Sequence, residues 1–323
     1  MRALSRKDVE EAAARIAPHI HDTPVLSSTS LNALARTELH FKCENFQKVG
    51  AFKARGAMNA ALCLDDSVGA VITHSSGNHG AALAWAAHHR GLACHVVAPR
   101  NASKFKRESM VRYGANLVDC GPEMDSRETV LEEFLSDHSA TVVPPYDDPR
   151  IIAGQGTAAL ELLRCVPDLE QIWVPVGGGG LAAGTVLAAN GSAQVVCAEP
   201  ELANDAYLSM ERGTVQPARP PLTVADGLRS ALGAWTFQIL YGASTPVVLV
   251  SEKQILDAMR IVWEYLKIVI EPSSAVALAA LLKCRDLVKR KVGIILTGGN
   301  VEFSEAFDAA TGGTAQRSEI RRT

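Results

Sequence analysis

The stretch Ile172-Trp173-Val174-Pro175-Val176-Gly177-Gly178-Gly179-Gly180-Leu181-Ala182-Ala183-Gly184 decides how this chain is read. An apolar run of strand type feeds four consecutive glycines, and an Ala/Leu segment of helix-forming composition follows at once. Glycine gives up more conformational freedom on folding than any other residue, so four in a row need a reason. A flexible loop is one reading. Close backbone approach to an anion is the other: successive N–H groups in a turn, backed by the positive end of the next helix, cradle a phosphate. The strand before and the helix after favour the cradle. Two common phosphate loops fail on spacing. A P-loop requires G-x-x-x-x-G-K-[ST], and no Lys-Ser or Lys-Thr follows these glycines. A dinucleotide fingerprint requires G-x-G-x-x-G with an acid about 20 residues on. Glu199 stands near that distance, but Leu181 and Ala182 follow Gly180 and the sixth position holds no glycine. The phosphate therefore belongs to something other than a nucleoside triphosphate or NAD.

Outward from this stretch, strand-like and helix-like segments alternate. Strands are expected at 69–74, 93–98, 116–118, 172–176, 194–197 and 292–296, and helices at 78–90, 103–113, 157–165, 181–190, 252–266 and 274–282. This alternation predicts an α/β protein with mostly parallel sheets flanked by helices. Residues 70–147 read as a self-contained βαβαβ run, closed by Pro144-Pro145-Tyr146-Asp147-Asp148-Pro149, a cluster suited to an inter-lobe connection. Two lobes are expected: 1–69 with 148–323 as the large one, and 70–147 as the small one. Ligands of open α/β sheets bind beyond the carboxyl ends of strands, so the loops there should converge on one cleft.

Composition narrows the function classes. A net charge of −3 with no dense Lys/Arg cluster gives no footprint for nucleic acid. Seven cysteines, scattered and without a C-x-x-C, argue against a disulfide framework or a structural zinc site and suit a reducing cytoplasm. The charged Arg2, Arg6, Lys7 and Asp8 are unlike a signal peptide, and no run of 18 apolar residues suggests a membrane span.

Three further loops carry chemistry. His74-Ser75-Ser76-Gly77-Asn78-His79-Gly80 follows a strand and opens a helix, where unpaired N–H groups suit a carboxylate; a plain helix cap is the simpler reading. Leu296-Thr297-Gly298-Gly299-Asn300 is a hydroxyl-bearing glycine turn. In Val49-Gly50-Ala51-Phe52-Lys53-Ala54-Arg55-Gly56-Ala57, Lys53 lies among apolar and small residues, either as a snorkelling surface lysine or as a desolvated amine suited to Schiff-base chemistry. A phosphate cradle, such an amine, a carboxylate site and a hydroxyl-bearing turn are the parts that pyridoxal phosphate and an amino-acid substrate require.

On these motifs the sequence resembles the fold-type-II pyridoxal-phosphate enzymes (the two-lobed, tryptophan synthase β-like fold), specifically the serine/threonine dehydratase and serine racemase group. The resemblance is carried by Glu44-Asn45-Phe46-Gln47-Lys48, Phe52-Lys53-Ala54-Arg55-Gly56, the Ser75 to Gly80 loop, Ala153-Gly154-Gln155-Gly156-Thr157, the four glycines, Ala198-Glu199-Pro200, Ala225-Asp226-Gly227, Glu271-Pro272-Ser273 and the Thr297 turn. These occur in family order across roughly residues 20 to 305. The resemblance implies that Lys53 holds the cofactor covalently and moves the α-proton on one face, with Ser76 as the acid/base on the other. It implies that Phe52 packs on the ring, Asn78 bonds the ring hydroxyl, and Gly177, Gly178, Gly179 and Gly180 hold the phosphate. Thr297 then faces the pyridine nitrogen with a hydroxyl rather than a carboxylate, so ring protonation is not enforced and loss of a β-hydroxyl competes well. Ser75, Ser76, Gly77, Asn78 and His79 would bind the substrate carboxylate.

The resemblance also implies a divalent-cation site at Glu199, the carbonyl of Ala203 and Asp205. Oxygen ligands suit Mg²⁺, Mn²⁺ or Ca²⁺ rather than zinc; two solvated acids are the plainer reading. A homodimer is expected. The chain departs from the family at Ala51, where many relatives carry serine, in the loop at 144–148, and at Tyr265, which replaces a basic residue near a nucleotide-effector site. The activity implied is dehydration and deamination of a β-hydroxy amino acid, L-serine or L-threonine, to a 2-oxo acid and ammonia, with racemisation alongside. The alternative is 3-hydroxyaspartate, whose extra carboxylate Arg127 or Arg229 would pair; a racemase proper, and more distantly a non-catalytic ligand- or metal-sensing protein, complete the set.

Overall fold

The structure is a computed structural model that describes residues 3–218 and 222–302, without the side chains of residues 124 and 125. Along the chain the strands are β1 (Val25–Leu26), β2 (Glu38–Cys43), β3 (Ala70–His74), β4 (Ala93–Pro99), β5 (Ala115–Cys120), β6 (Thr141–Val142), β7 (Gln171–Pro175), β8 (Gln194–Pro200), β9 (Val247–Val250) and β10 (Lys291–Leu296). A six-stranded sheet has the order β1-β2-β10-β7-β8-β9, and a four-stranded sheet the order β5-β4-β3-β6. All pairings are parallel except β1 with β2. Helices cover the strands, which is why β7 and most of β10 read as continuous apolar runs. Parallel register brings the carboxyl ends of β2, β10 and β7 together, and with them the loops that carry Lys53, Thr297 and the four glycines.

The helix expected from 157 begins earlier, at Pro149, and runs to Cys165. Asp148 caps it by accepting from the N–H groups of Arg150 and Ile151. Gly154 and Gly156, which look like loop residues, lie inside this helix. A Cβ on Gly154 would sit 2.6 Å from Gly56 Cα, and one on Gly156 2.6 Å from the Gly184 carbonyl oxygen. Each helical glycine costs about 1 kcal/mol against alanine, and here that lets the helices Lys53–Leu62, Pro149–Cys165 and Gly180–Ala189 cross in close backbone contact.

The helix that begins at Lys53 packs its Ala54, Ala57 and Met58 into an apolar cluster with Val71, Leu83 and Val96 of the smaller sheet layer. Its Arg55 points the other way, into a buried ion network. The guanidinium donates twice to Glu44 (2.7 and 2.8 Å) and twice to Glu161 (both 2.7 Å), and Lys42 Nζ lies 2.6 Å from Glu161. Thr23 donates to Glu44, and Lys42 also donates to the Thr23 carbonyl. Two cations and two anions thus anchor the first turn of the lysine helix to the end of β2 and to a neighbouring helix. No helix among the described residues is long and apolar enough to cross a membrane.

Candidate active site

The loops at the carboxyl ends of both sheets enclose one cavity, whose walls include Lys53, Ser76, Tyr146, Gly178, Glu271 and Thr297. Lys53 opens its helix, with its ammonium 5.1 Å from the Phe52 ring centre. It donates to the Pro145 carbonyl at 2.7 Å. Burial lowers its pKa to about 8, against the opposing pull of the Glu271 carboxylate. Its amine is turned into the cavity and held by the Pro145 carbonyl, which favours the desolvated amine over a snorkelling surface lysine.

The glycine run turns into the helix Gly180–Ala189 at Gly179, whose φ of +87° is a left-handed conformation that favours glycine. Among the described residues the N–H groups of Gly177, Gly178 and Gly179 have no hydrogen-bond partner, which leaves a row of donors at a helix start. Packing supplies a second reason for the glycines. A Cβ on Gly178 would lie 2.3 Å from the Tyr146 ring, and one on Gly177 2.8 Å from Leu228 Cα. Tyr146 belongs to the Pro/Asp loop, which the neighbouring acids hold in place. Asp147 accepts from the N–H groups of Ala234, Trp235 and Thr236 at 3.0, 2.9 and 3.2 Å, and Asp148 caps the next helix.

The loop after β3 forms the facing wall. Ser75 is buried, and its Oγ accepts from the N–H groups of Gly77 (3.1 Å) and Gly80 (3.0 Å), so it shapes the turn. The part-buried Ser76 lines the cavity, and its hydroxyl has no hydrogen-bond partner among the described residues. Asn78 donates to both oxygens of Glu271 (2.9 and 3.0 Å) and accepts from Asn300 at 2.9 Å. The His79 side chain is turned inward, with Nε2 donating to the Val143 carbonyl at 3.2 Å. Burial and the Lys53 charge lower its pKa to about 3, so it is a neutral ring and offers a carboxylate no charge. Thr297 is buried, and its Oγ1 lies 2.9 Å from Ser274 Oγ.

Arg127 also lines the cavity, half-buried. Its Nη2 donates to the Pro122 carbonyl at 3.3 Å, while its buried Nε has no partner among the described residues. Arg229 lies near enough to oppose its charge and donates to the Thr223 carbonyl at 2.7 Å. The pair Glu199 and Asp205 sits apart, at the end of β8. Both are buried; Glu199 accepts from the N–H groups of Ala206 and Tyr207 at 2.8 Å, and Asp205 Oδ2 has no partner among the described residues. Burial and the Asp205 charge push Glu199 up to about 9, and burial raises Asp205 to about 6. No group of three or more His, Cys, Asp or Glu among the described residues could hold a metal, so a cation here would need a backbone oxygen such as that of Ala203.

Sequence reasoning assigned no role to several residues of this site. Glu271 is raised to about 7 by burial, and Lys106 pairs with Asp226 in the cavity wall. Glu271 and Asp226 lie in motifs already quoted, a usable signal. Tyr146 and Ser274 gave none, because a tyrosine in a turn and a serine in a helix's first turn have commonplace local explanations.

Comparisons with known proteins agree with this geometry. A family model described as "Pyridoxal-phosphate dependent enzyme" matches residues 16–298. The chain is 46% identical to a serine racemase from Dictyostelium discoideum over 94% of this chain and 97% of that one. It is 44% identical to a beta-hydroxyaspartate dehydratase from Paracoccus denitrificans, over 93% and 97% of the two chains. The solved structure of maize serine racemase superposes with a TM-score of 0.90 at 41% identity, covering 96% of this chain and 98% of that one. With the lysine, the glycine cradle and the hydroxyl turn in one cavity, the chain belongs to the fold-type-II pyridoxal-phosphate-dependent enzymes, in the serine racemase and dehydratase family.

Proposed function

We propose that this enzyme dehydrates and deaminates a β-hydroxy amino acid, L-serine or L-threonine, to a 2-oxo acid and ammonia, with racemisation as a second outcome. The observation that carries it is the meeting, in one cavity, of the Lys53 amine with glycine N–H groups and a Ser76 hydroxyl that have no partner among the described residues. Pyridoxal phosphate supplies an aldehyde for the substrate amine and an electron sink for the bond broken at Cα. The residues present fit it: the N–H row of Gly177, Gly178, Gly179 and Gly180 would take the phosphate, Phe52 the ring face, Asn78 the ring hydroxyl and Thr297 the ring nitrogen.

Lys53 removes the substrate's α-proton, for which an amine with a pKa of about 8 is well matched near neutral pH. Ser76 holds a proton for the opposite face. The start of the helix Asn78–His89, with Ser75, Ser76, Gly77 and the His79 backbone, orients the substrate carboxylate. Glu199, Asp205 and the Ala203 carbonyl hold Mg²⁺, Mn²⁺ or Ca²⁺. The Asp205 oxygen left without a partner among the described residues supports this, since two buried carboxylates side by side must take up a cation or a proton. We further propose that 70–147 works as a small lobe against 1–69 with 148–323, that the enzyme is a homodimer, for which the exposed Phe46 and Val269 offer apolar surface, and that it acts in the cytoplasm, which suits its seven free cysteines.

A second reading, 3-hydroxyaspartate as substrate, is favoured by Arg127, which lines the cavity and whose buried Nε has no partner among the described residues. A panel of L-serine, D-serine, L-threonine and the 3-hydroxyaspartate isomers, scored for oxo acid and for enantiomer, separates the readings. Arg127→Ala should weaken turnover of the dicarboxylic substrate alone if that reading holds. Borohydride reduction should leave the pyridoxyl label on Lys53; a label on Lys48 would overturn the assignment. Ser76→Ala should abolish racemisation and D-serine turnover yet spare much of the elimination from L-serine.

A further inference from the structure

Ser274 and Thr297 form a buried pair of hydroxyls whose protons can be counted. Ser274 stands in the first turn of the helix Pro272–Lys283 and is fully buried; Thr297 begins the turn after β10. Among the described residues, three groups lie within hydrogen-bond reach of Ser274 Oγ: the Gly298 N–H at 2.7 Å, which donates to it, the Gly298 carbonyl at 2.8 Å, and Thr297 Oγ1 at 2.9 Å. A serine has one proton to give, so two arrangements exist. In one, Ser274 donates to the Gly298 carbonyl and Thr297 donates to Ser274; Thr297 then turns only lone pairs to the cavity. In the other, Ser274 donates to Thr297, and the Thr297 proton is free to point into the cavity. The Gly298 carbonyl also accepts from the Glu271 N–H at 3.0 Å, so it keeps a partner in both. Neither arrangement strands a buried polar group, and the serine rotor passes between them without moving the backbone.

We propose that Ser274 is a positioning residue that decides whether Thr297 presents an acceptor or a donor to the cofactor's ring nitrogen, and so sets the balance between racemisation and elimination. The inference rests on the reading of Thr297 as the residue opposite that nitrogen. A Thr297 that accepts favours the protonated nitrogen, which spreads the carbanion into the ring and lengthens its life for reprotonation on either face. A Thr297 that donates favours the unprotonated nitrogen and rapid loss of the β-hydroxyl. Without Ser274 Oγ, Thr297 loses the one acceptor its hydroxyl has among the described residues, and its proton is left to the cavity.

The test uses holoenzyme reconstituted with pyridoxal phosphate labelled with ¹⁵N in the ring. Ser274→Ala should move the ring-nitrogen resonance toward the unprotonated position. It should also lower the ratio of racemisation to elimination on L-serine by about fivefold, the factor that one neutral hydrogen bond corresponds to. Ser274→Thr, which keeps the hydroxyl, should restore both, a rescue that a merely space-filling serine would not show. Should Ser274→Ala not fold, Ser274→Cys carries the same expectation in weaker form, because a thiol is a poor donor and acceptor. A resonance and ratio unchanged in a folded Ser274 variant overturn the proposal, provided Thr297→Val does move the resonance. If Thr297→Val leaves it unmoved, the ring nitrogen does not face Thr297, and the reading beneath the proposal fails with it.

Discussion

Among the described residues, two of the buried charge clusters are built oppositely. Beneath the lysine helix, Arg55 and Lys42 meet Glu44 and Glu161, two cations against two anions, every group hydrogen-bonded. Burial works against the Arg55 charge, yet the two glutamates hold its pKa above the usual value. Burial likewise opposes ionisation of Glu161, and Arg55 and Lys42 keep it below the carboxylate range. At the end of β8, Glu199 and Asp205 are as deeply buried but, among the described residues, have only each other and backbone N–H groups, and both are driven upward. The difference separates scaffold from a proposed cation site. A charge cluster that balances internally needs nothing further. One that does not must bind a proton or a cation.

The largest effect that would break this comparison lies in the balanced cluster. Glu44→Gln or Arg55→Met leaves one charge buried without its partner, and should destabilise the protein by about 3–5 kcal/mol in urea unfolding. A loss below about 1 kcal/mol would mean that water reaches the network and that its balance does not matter. Replacing Arg55 and its acids together with apolar residues should recover much of the loss, since the penalty lies in the uncompensated charge rather than in the missing pair.

The unbalanced pair should answer to added ions instead. Chelator should lower the stability to unfolding, and Mg²⁺ or Mn²⁺ should restore it, by about 2.7 kcal/mol at a hundredfold excess over Kd. Asp205→Asn should be insensitive to both. A wild-type response in that variant would remove the site, and the two clusters would then differ only in protonation.

Lys53 offers a smaller test of the same logic, because it is a buried cation whose nearest compensating charge, Glu271, is itself raised to about 7. In the cofactor-free protein its folded-state pKa of about 8 lies below the ordinary lysine value of 10.5. Between those values the unfolded chain keeps a proton that the folded chain has released, so stability should rise as pH climbs from about 8 to 10.5. Below pH 8 both states are protonated and the burial penalty acts in full. Lys53→Met should flatten that rise; an equal slope in the variant would show that other groups produce it.

Much of the molecule was legible in the linear sequence, where the controlling physics is local. Alternating strand and helix patterns gave the α/β class, because apolar periodicity records which face is buried. The glycine run, the lysine in apolar company and the loop after β3 marked the cavity, because each needs a backbone or side-chain property that few residues supply. The start of the Pro149–Cys165 helix was missed because Gly154 and Gly156 signal a loop locally, and only the crossing of three helices explains them.

What tertiary structure alone decided are the pairings across long separations and the balance of charge. Asn78 meets Glu271 across 193 positions, and Ser274 meets Thr297 across 23. Neither contact has a local signature, since parallel register and helix placement bring them together. The sequence likewise shows Arg55 and Glu199 as single charged residues with equal claims to the surface. Only the fold determines that one is buried among its counter-charges and the other beside a like charge, and that difference in surroundings makes the first a scaffold residue and the second part of a proposed cation site.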